Sequence, residues 1–279
     1  MSGRNLILTG IPRAGTTLAC QLLGSCTDTV ALAEPMPVAD LPANDPAAAM
    51  AAIDAYFSTC RESALTRGKV PSRQRDGHVP NNFFVDTPQG RHWNAAVAEI
   101  AVPKALSTGF TLAIKHNGTF LALLPELVRG HAVIGIVRNP LVLLAAWQAI
   151  DLPIRTGRLP MAERLDSALA ARLGDESDTQ TRQLIVLEWC FRRLRDHLPR
   201  ERILRHEDII DSGGSTLTST AGLAGASMTL ADRNADRRHR IADIRQLQDH
   251  LQAKTGAWRA FYSEAEIIAA ANRLSIAAS

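Results

Sequence analysis

Short apolar runs recur along the chain, bounded by polar or Gly-containing turns and separated by stretches with helical spacing. The runs at residues 5–9, 29–33, 110–115, 132–137 and 202–205 predict five buried strands. Helical periodicity follows the first at 16–24, the third at 120–129 and the fourth at 141–150. Strands that are apolar on both faces and alternate with helices form a parallel sheet covered on both sides. The predicted fold is α/β: a three-layer sandwich with a central parallel sheet of about five strands flanked by helices. Ligands of such sheets bind beyond the carboxyl ends of the strands. The residues to weigh are therefore 12–17, Glu34, 115–118, 138–140 and 206–208.

Two regions break the alternation. Residues 45–67 read as an Ala-rich helix running into residues 66–80, which hold Pro71, Gly77 and several arginines without an apolar period and read as a long surface loop. Residues 152–178, punctuated by Pro153, Gly157, Pro160 and Gly174, read as two short helices. Long insertions of this kind often serve as lids or substrate walls. With no internal repeat and no linker, the expectation is one domain over 1–279 with insertions around 45–82 and 152–178.

Composition narrows the partners. At 46% hydrophobic and 21% charged residues the chain reads as globular and soluble, able to bury a substantial core. A balance of 31 basic against 28 acidic residues, net +3, gives no argument for nucleic acid. Leu6-Ile7-Leu8 is too short for a signal-peptide core, and no apolar run approaches the roughly 20 residues that span a bilayer. Cys20, Cys26, Cys60 and Cys190 are scattered, which points to reduced thiols, and the histidines form no metal-binding pattern. The expectation is a cytoplasmic protein without a metal. Its Arg and Ala bias points to a bacterial source.

The chemistry starts at residues 6–18, where an apolar run ends in a Gly-containing turn and a helix-like stretch follows at once. That order aims backbone amides and the positive end of a helix at one point, the geometry of an anion site. The spacing Gly10-x4-Gly15 matches the opening of a Walker A loop, but Thr16 stands where the nucleotide-binding Lys would be. Arg13 can supply the positive charge, and Thr16 and Thr17 hydroxyls. The competing reading is a corner whose glycines only permit the turn. Arg138 ends the fourth apolar run, a costly place for a charge unless an anion meets it. It could equally pair with a carboxylate near the helix that Pro140 opens.

Pro12-Arg-Ala-Gly-Thr-Thr-Leu18 resembles the 5′-phosphosulfate loop of the sulfotransferases that use 3′-phosphoadenosine-5′-phosphosulfate (PAPS). Four further segments resemble that family in the same order. These are Lys115-His-Asn, Arg138-Asn-Pro140, Ile203-Leu-Arg-His-Glu-Asp-Ile209 and Gly256-Ala-Trp258, so the likeness spans residues 6 to about 262. Three departures stand out. Ala146 fills the place of the 3′-phosphate Ser, His206 replaces an aromatic residue, and the Arg-Lys-Gly triplet of the cytosolic enzymes is absent. The resemblance implies a P-loop-type fold and sulfuryl transfer from PAPS to a hydroxyl of a small-molecule or carbohydrate acceptor, releasing PAP (adenosine 3′,5′-bisphosphate). It implies that Arg13, Ala14, Gly15, Thr16 and Thr17 hold the 5′-phosphosulfate, that Arg138 meets the 3′-phosphate and that His206 lies near the adenine. Arg13 would neutralise the leaving phosphate.

Two residues compete as general base. Glu34, fixed by Pro35 at the end of the second strand, sits where several bacterial members carry a Glu, and desolvation would raise its pKa while arginines opposite it would work against that rise. It could instead be the salt-bridge partner of Arg13 or Arg138. His116 follows Lys115 by one place where the family's His follows by two, an offset that turns a strand side chain to the other face. Glu34 is preferred on that ground. The basic stretch Arg61, Arg67, Lys69, Arg73 and Arg75 reads either as a solvated loop or as a face for an anionic acceptor. Arg233, Arg237, Arg238, Arg240 and Arg245 read as the polar face of a helix or as a cover for the cofactor. Two other functions compete: a P-loop nucleoside or small-molecule kinase, and a non-catalytic nucleotide-binding or scaffolding protein.

Overall fold

The computed structural model describes residues 3–87, 90–225, 227–231 and 241–278. In chain order its first half comprises β1 (Arg4–Gly10), α1 (Thr16–Ser25), β2 (Thr29–Ala33), α2 (Pro46–Arg67), β3 (Lys69–Gln74), β4 (Phe84–Thr87), β5 (Gly90–Trp93), β6 (Ala96–Ala101), β7 (Thr111–Lys115), α3 (Gly118–Ala122) and α4 (Leu124–Gly130). The second half comprises β8 (Ala132–Val137), α5 (Pro140–Gln148), α6 (Pro160–Leu165), α7 (Ser167–Gly174), α8 (Thr179–His197), β9 (Ile203–Arg205), α9 (His206–Asp211), α10 (Ser215–Thr220), α11 (Ile241–Gln252) and α12 (Glu264–Ala278).

The central sheet has five strands in the order β2-β7-β1-β8-β9, and every pairing in it is parallel. All residues of β2 and β7 are buried, which requires cover on both faces. The five strands and the flanking helices form the expected α/β sandwich. Close packing explains two glycines. A Cβ on Gly135 would come within 2.5 Å of Leu194 in α8, and one on Gly10 within 2.5 Å of the Ile136 carbonyl oxygen. Helix starts follow local chemistry. Asp45 caps α2 by accepting from the Ala48 amide, and Asn139 caps α5 by accepting from the Leu141 amide. Pro46 and Pro140 take first-turn positions, where a missing N–H costs nothing. Pro125 follows the break that divides the expected helix at 120–129 into α3 and α4.

Register aligns the strand ends. Lys115 pairs with Leu8 on one side and Ala33 on the other, and Val137 pairs with Arg205. Glu34, His116, Arg138 and His206 each follow one of these ends, so the topology delivers them to a single edge.

Residues 66–80 are not the continuous surface loop that the sequence implied. Residues 69–74 form β3, antiparallel to β6, with Val70 opposite Ile100. The pattern was hidden because only Val70 and the polar Ser72 are buried, with Lys69, Pro71 and Arg73 alternating with them, and because the partner strand lies some way along the chain. β4 and β5 form a second antiparallel pair beside it. In the other insertion the two short helices are α6 and α7, after a 3-10 turn at Pro153–Thr156. No helix among the described residues is long and apolar enough to cross a membrane.

Candidate active site

The phosphate-loop candidate is held from three sides. The Ile11 amide donates to the Ile136 carbonyl at 3.1 Å, the Trp147 Nε1 to the Pro12 carbonyl at 2.8 Å, and the Arg138 Nη1 to the Arg13 carbonyl at 3.0 Å. Gly15 stands at the N-cap of α1 in the left-handed region, φ 87°, and no side chain caps the helix there. A Cβ at Gly15 would lie 2.3 Å from the His206 Nδ1, so glycine permits both the turn and this contact. The first amides of α1 and its positive end thus face the cavity described next, as an anion site requires.

A cavity of about 890 Å³ opens beyond the strand ends. Of the residues singled out in the sequence, Arg13, Gly15, Thr16, Thr17, Glu34, His116, Arg138 and His206 line it, together with Ala146. Ala14 does not. It is fully buried beneath the loop, and its amide donates back to the Ile11 carbonyl. Among the described lining residues are six cations, Arg13, Arg73, Arg91, Lys115, Arg138 and Arg158, and one carboxylate, Glu34. Arg91 and Arg158 pair with Asp86 and Glu163, and the remaining balance is still positive, which favours an anionic ligand.

Glu34 contacts neither Arg13 nor Arg138 by an ion pair. Its Oε1 lies 2.5 Å from the Lys115 Nζ and its Oε2 3.2 Å from the Arg73 Nε. Arg73 reaches it because the neighbouring Ser72 Oγ accepts from the Ala33 amide at 3.0 Å, which pins β3 to the end of β2. The expected rise in the Glu34 pKa is reversed. Burial pushes the carboxyl up, but Lys115, His116 and Arg73 together outweigh burial and hold it below the ordinary range. Glu34 and Arg13 share a backbone peculiarity, φ 46° and 73°, left-handed values that cost a residue with a side chain on the order of 1–3 kcal/mol. Such strain persists where the surroundings over-determine it, and here it falls on two of the three residues the sequence proposed for catalysis.

His116 is not turned away from the site. It lies one residue past the end of β7, where the two-residue alternation no longer applies, and is buried beside Glu34. Burial pushes its pKa down to about 3, against the opposing influence of Glu34 and with Lys115 and Arg73 adding to the fall. The neutral ring accepts the Met36 amide proton at Nε2, 3.3 Å away. That bond occupies the lone pair a base would need. His206 is likewise buried and neutral, driven down to about 3 by burial and then by Arg138. It packs on the loop at Gly15.

Several cavity residues carried no legible signal. Arg13 donates to the Asn82 Oδ1 at 3.2 Å, and its guanidinium lies 4.8 Å from the centre of the Phe84 ring. Arg73 lies 5.1 Å from the Trp93 ring, and Lys115 5.3 Å from Phe83. The aromatic run at 83–84 was the available clue. The basic stretch divides by role. Arg61 donates to the carbonyls of Phe110 and Arg4, Arg67 pairs with Glu99, and only Arg73 of the five lines the cavity. Trp258 is a core residue away from the cavity. Arg233, Arg237, Arg238 and Arg240 lie outside the described residues, and Arg245 is on α11.

The fold and the site define an α/β protein with a cation-rich cavity at the carboxyl edge of its sheet. Solved bacterial sulfotransferases are among the structures to which the chain is similar. One is from Alicyclobacillus acidocaldarius, at 11% identity over 99% of this chain and 97% of that one, TM-score 0.42. Another is from Mycobacterium tuberculosis, at 14% identity over 99% and 77%, TM-score 0.34. No family model and no curated protein matches the sequence.

Proposed function

We propose that this protein is a sulfotransferase that moves the sulfuryl group of PAPS to an acceptor hydroxyl. One observation carries the reading: the open N-terminus of α1, Arg138 and the strained pair Arg13 and Glu34 face one cation-lined cavity. The donor set fits PAPS. The loop and α1 would hold the 5′-phosphosulfate, and Arg138, 9% exposed and fixed against the loop, would meet the 3′-phosphate. Ala146 lines the same wall and offers no hydroxyl, so the charge of Arg138 bears that contact.

PAPS supplies an activated sulfuryl group. The chain's part is to orient the acceptor, neutralise charge on the departing phosphate and remove a proton. Arg13, set in the loop and steadied by Asn82 and Phe84, takes the charge on the leaving oxygen. Glu34, ionised at neutral pH, takes the hydroxyl proton as the acceptor oxygen bonds to sulfur and the sulfur–oxygen bond to the 5′-phosphate breaks. The rival kinase reading lacks its lysine, since Thr16 fills that position with its side chain buried.

Calorimetric titration separates the two readings. PAP should bind, and ATP with Mg²⁺ should compete poorly because it has no 3′-phosphate. Tight Mg²⁺-dependent ATP binding with weak PAP binding would overturn the proposal. Arg138→Ala should weaken PAP by about 1.5–3 kcal/mol, the range for hydrogen bonds to a charged group. Adenosine 5′-phosphosulfate, which has no 3′-phosphate, should lose clearly less than PAP, because only the brace to the Arg13 carbonyl is removed. Equal losses for the two nucleotides would reduce Arg138 to a brace.

A further inference from the structure

We infer, resting on the sulfotransferase reading, that the acceptor is an apolar, ring-bearing hydroxyl compound such as a phenol or alicyclic alcohol, and not a sugar. The sheet order places the two ends of the cavity. Arg138 and His206 follow β8 and β9, so the nucleotide's 3′-phosphate belongs on that side. Glu34 and His116 follow β2 and β7 on the opposite side, and an acceptor hydroxyl has to arrive there to meet Glu34.

Aromatic and aliphatic side chains cover part of the wall at that end. Phe83 and Phe84 stand over Lys115 and Arg13, and Trp93 packs on both phenylalanines at 5.1 and 5.3 Å between ring centres. Trp93 is 40% exposed. Its ring nitrogen is already given to the Ala95 carbonyl at 2.8 Å, so what it offers a ligand is its indole face. Met36, Leu159 and Met161 add aliphatic surface, with Leu159 packed so closely that a Cβ on Gly118 would lie 3.1 Å from it.

The charged groups of this wall have protein partners, and Asn81 and Asn117 are the neutral amides that line it beside Asn82. The Asn82 Oδ1 accepts from Arg13 and from the Phe84 amide. Arg73 pairs with Glu34, Arg91 with Asp86 and Arg158 with Glu163. A sugar entering here would surrender the hydration of many hydroxyls for few replacements, an expensive exchange. A ring compound with one hydroxyl gives up little water and gains aromatic and thioether contact.

The test uses the full-length protein, with PAP affinity measured on each sample. 2-Naphthol and a steroid alcohol are compared with a disaccharide, as ligands of the PAP-loaded protein by equilibrium dialysis and as acceptors of radiolabelled sulfate from PAPS. The expected result is binding and transfer with at least one apolar probe, at a kcat/KM more than tenfold that of the disaccharide. Trp93→Ala should raise KM for the apolar probe roughly tenfold while PAP affinity holds. Met161→Gln, in α6, should do the same without changing a residue of the aromatic cluster. A sulfated disaccharide, PAP-loaded protein that binds neither apolar probe, or two variants with unchanged KM would each overturn the acceptor inference while leaving the sulfotransferase reading intact. Failure of PAP to bind would overturn both.

Discussion

Replacing Glu34 with Gln should lower sulfuryl transfer on the order of a hundredfold to ten-thousandfold, the usual worth of a general base. The amide keeps the shape of the side chain but cannot receive the acceptor's proton. PAP affinity should stay within a few-fold, because Arg13 and Arg138 pair with groups other than Glu34. His116→Asn is the control. His116 is neutral and its Nε2 is taken by the Met36 amide, so its loss should cost much less. Steady-state turnover of PAPS with an acceptor, or slow PAPS hydrolysis in its absence, reads both variants. If His116→Asn abolishes turnover while Glu34→Gln is mild, the roles are reversed. The pH profile adds a second check. Since its neighbours hold Glu34 below the ordinary value of 4.5, the base stays ionised at neutral pH, and its acid limb should fall below that value.

The central sheet was legible because strands buried on both faces leave unbroken apolar runs. Leu6-Ile7-Leu8 and Leu112-Ala-Ile114 need no partner in the sequence to be read. The strand-end rule then named Glu34, Arg138 and His206, because where a parallel strand stops is itself written in the chain. The inserted strands were not legible. β3 contains Pro71 and buries only alternate residues, and its identity depends on pairing with β6, a non-local fact. Arg73 therefore read as one more basic residue in a loop, although Ser72 anchors it beside Glu34. The electrostatics of Glu34 failed for the same reason. Desolvation can be inferred from an apolar strand end, but the cations that overcome it arrive from β3 and β7. His116 failed differently: the alternation argument was sound within a strand, and the strand ended one residue earlier.

Lys115 is the residue on which the balance at Glu34 turns, and Lys115→Met should test it in two independent ways. Its side chain is 2% exposed, and its Nζ lies 2.5 Å from the Glu34 Oε1, whereas the Glu34 side chain is 23% exposed. Methionine fills the space but leaves Glu34 with Arg73 as its remaining ion-pair partner. Removing one member of a buried pair costs about 3–5 kcal/mol, and the partial exposure of Glu34 places the expected loss near 3 kcal/mol or a little below. The sign of the pH dependence follows from the depressed pKa. Stability contributed by an ionised Glu34 is fully present above its unfolded value, about 4.5, and is lost as pH falls through the lower folded value. Denaturant unfolding should therefore show the gap between wild type and Lys115→Met widest near pH 7 and narrowing in acid, as protonation of Glu34 dissolves the pair in the wild type. In the variant, burial raises the Glu34 pKa with less opposition, so the acid limb of kcat/KM should move to higher pH. A stability gap that stays constant with pH would mean that Lys115 acts through the packing of its methylene chain. An acid limb that does not move would remove Glu34 as the titrating base.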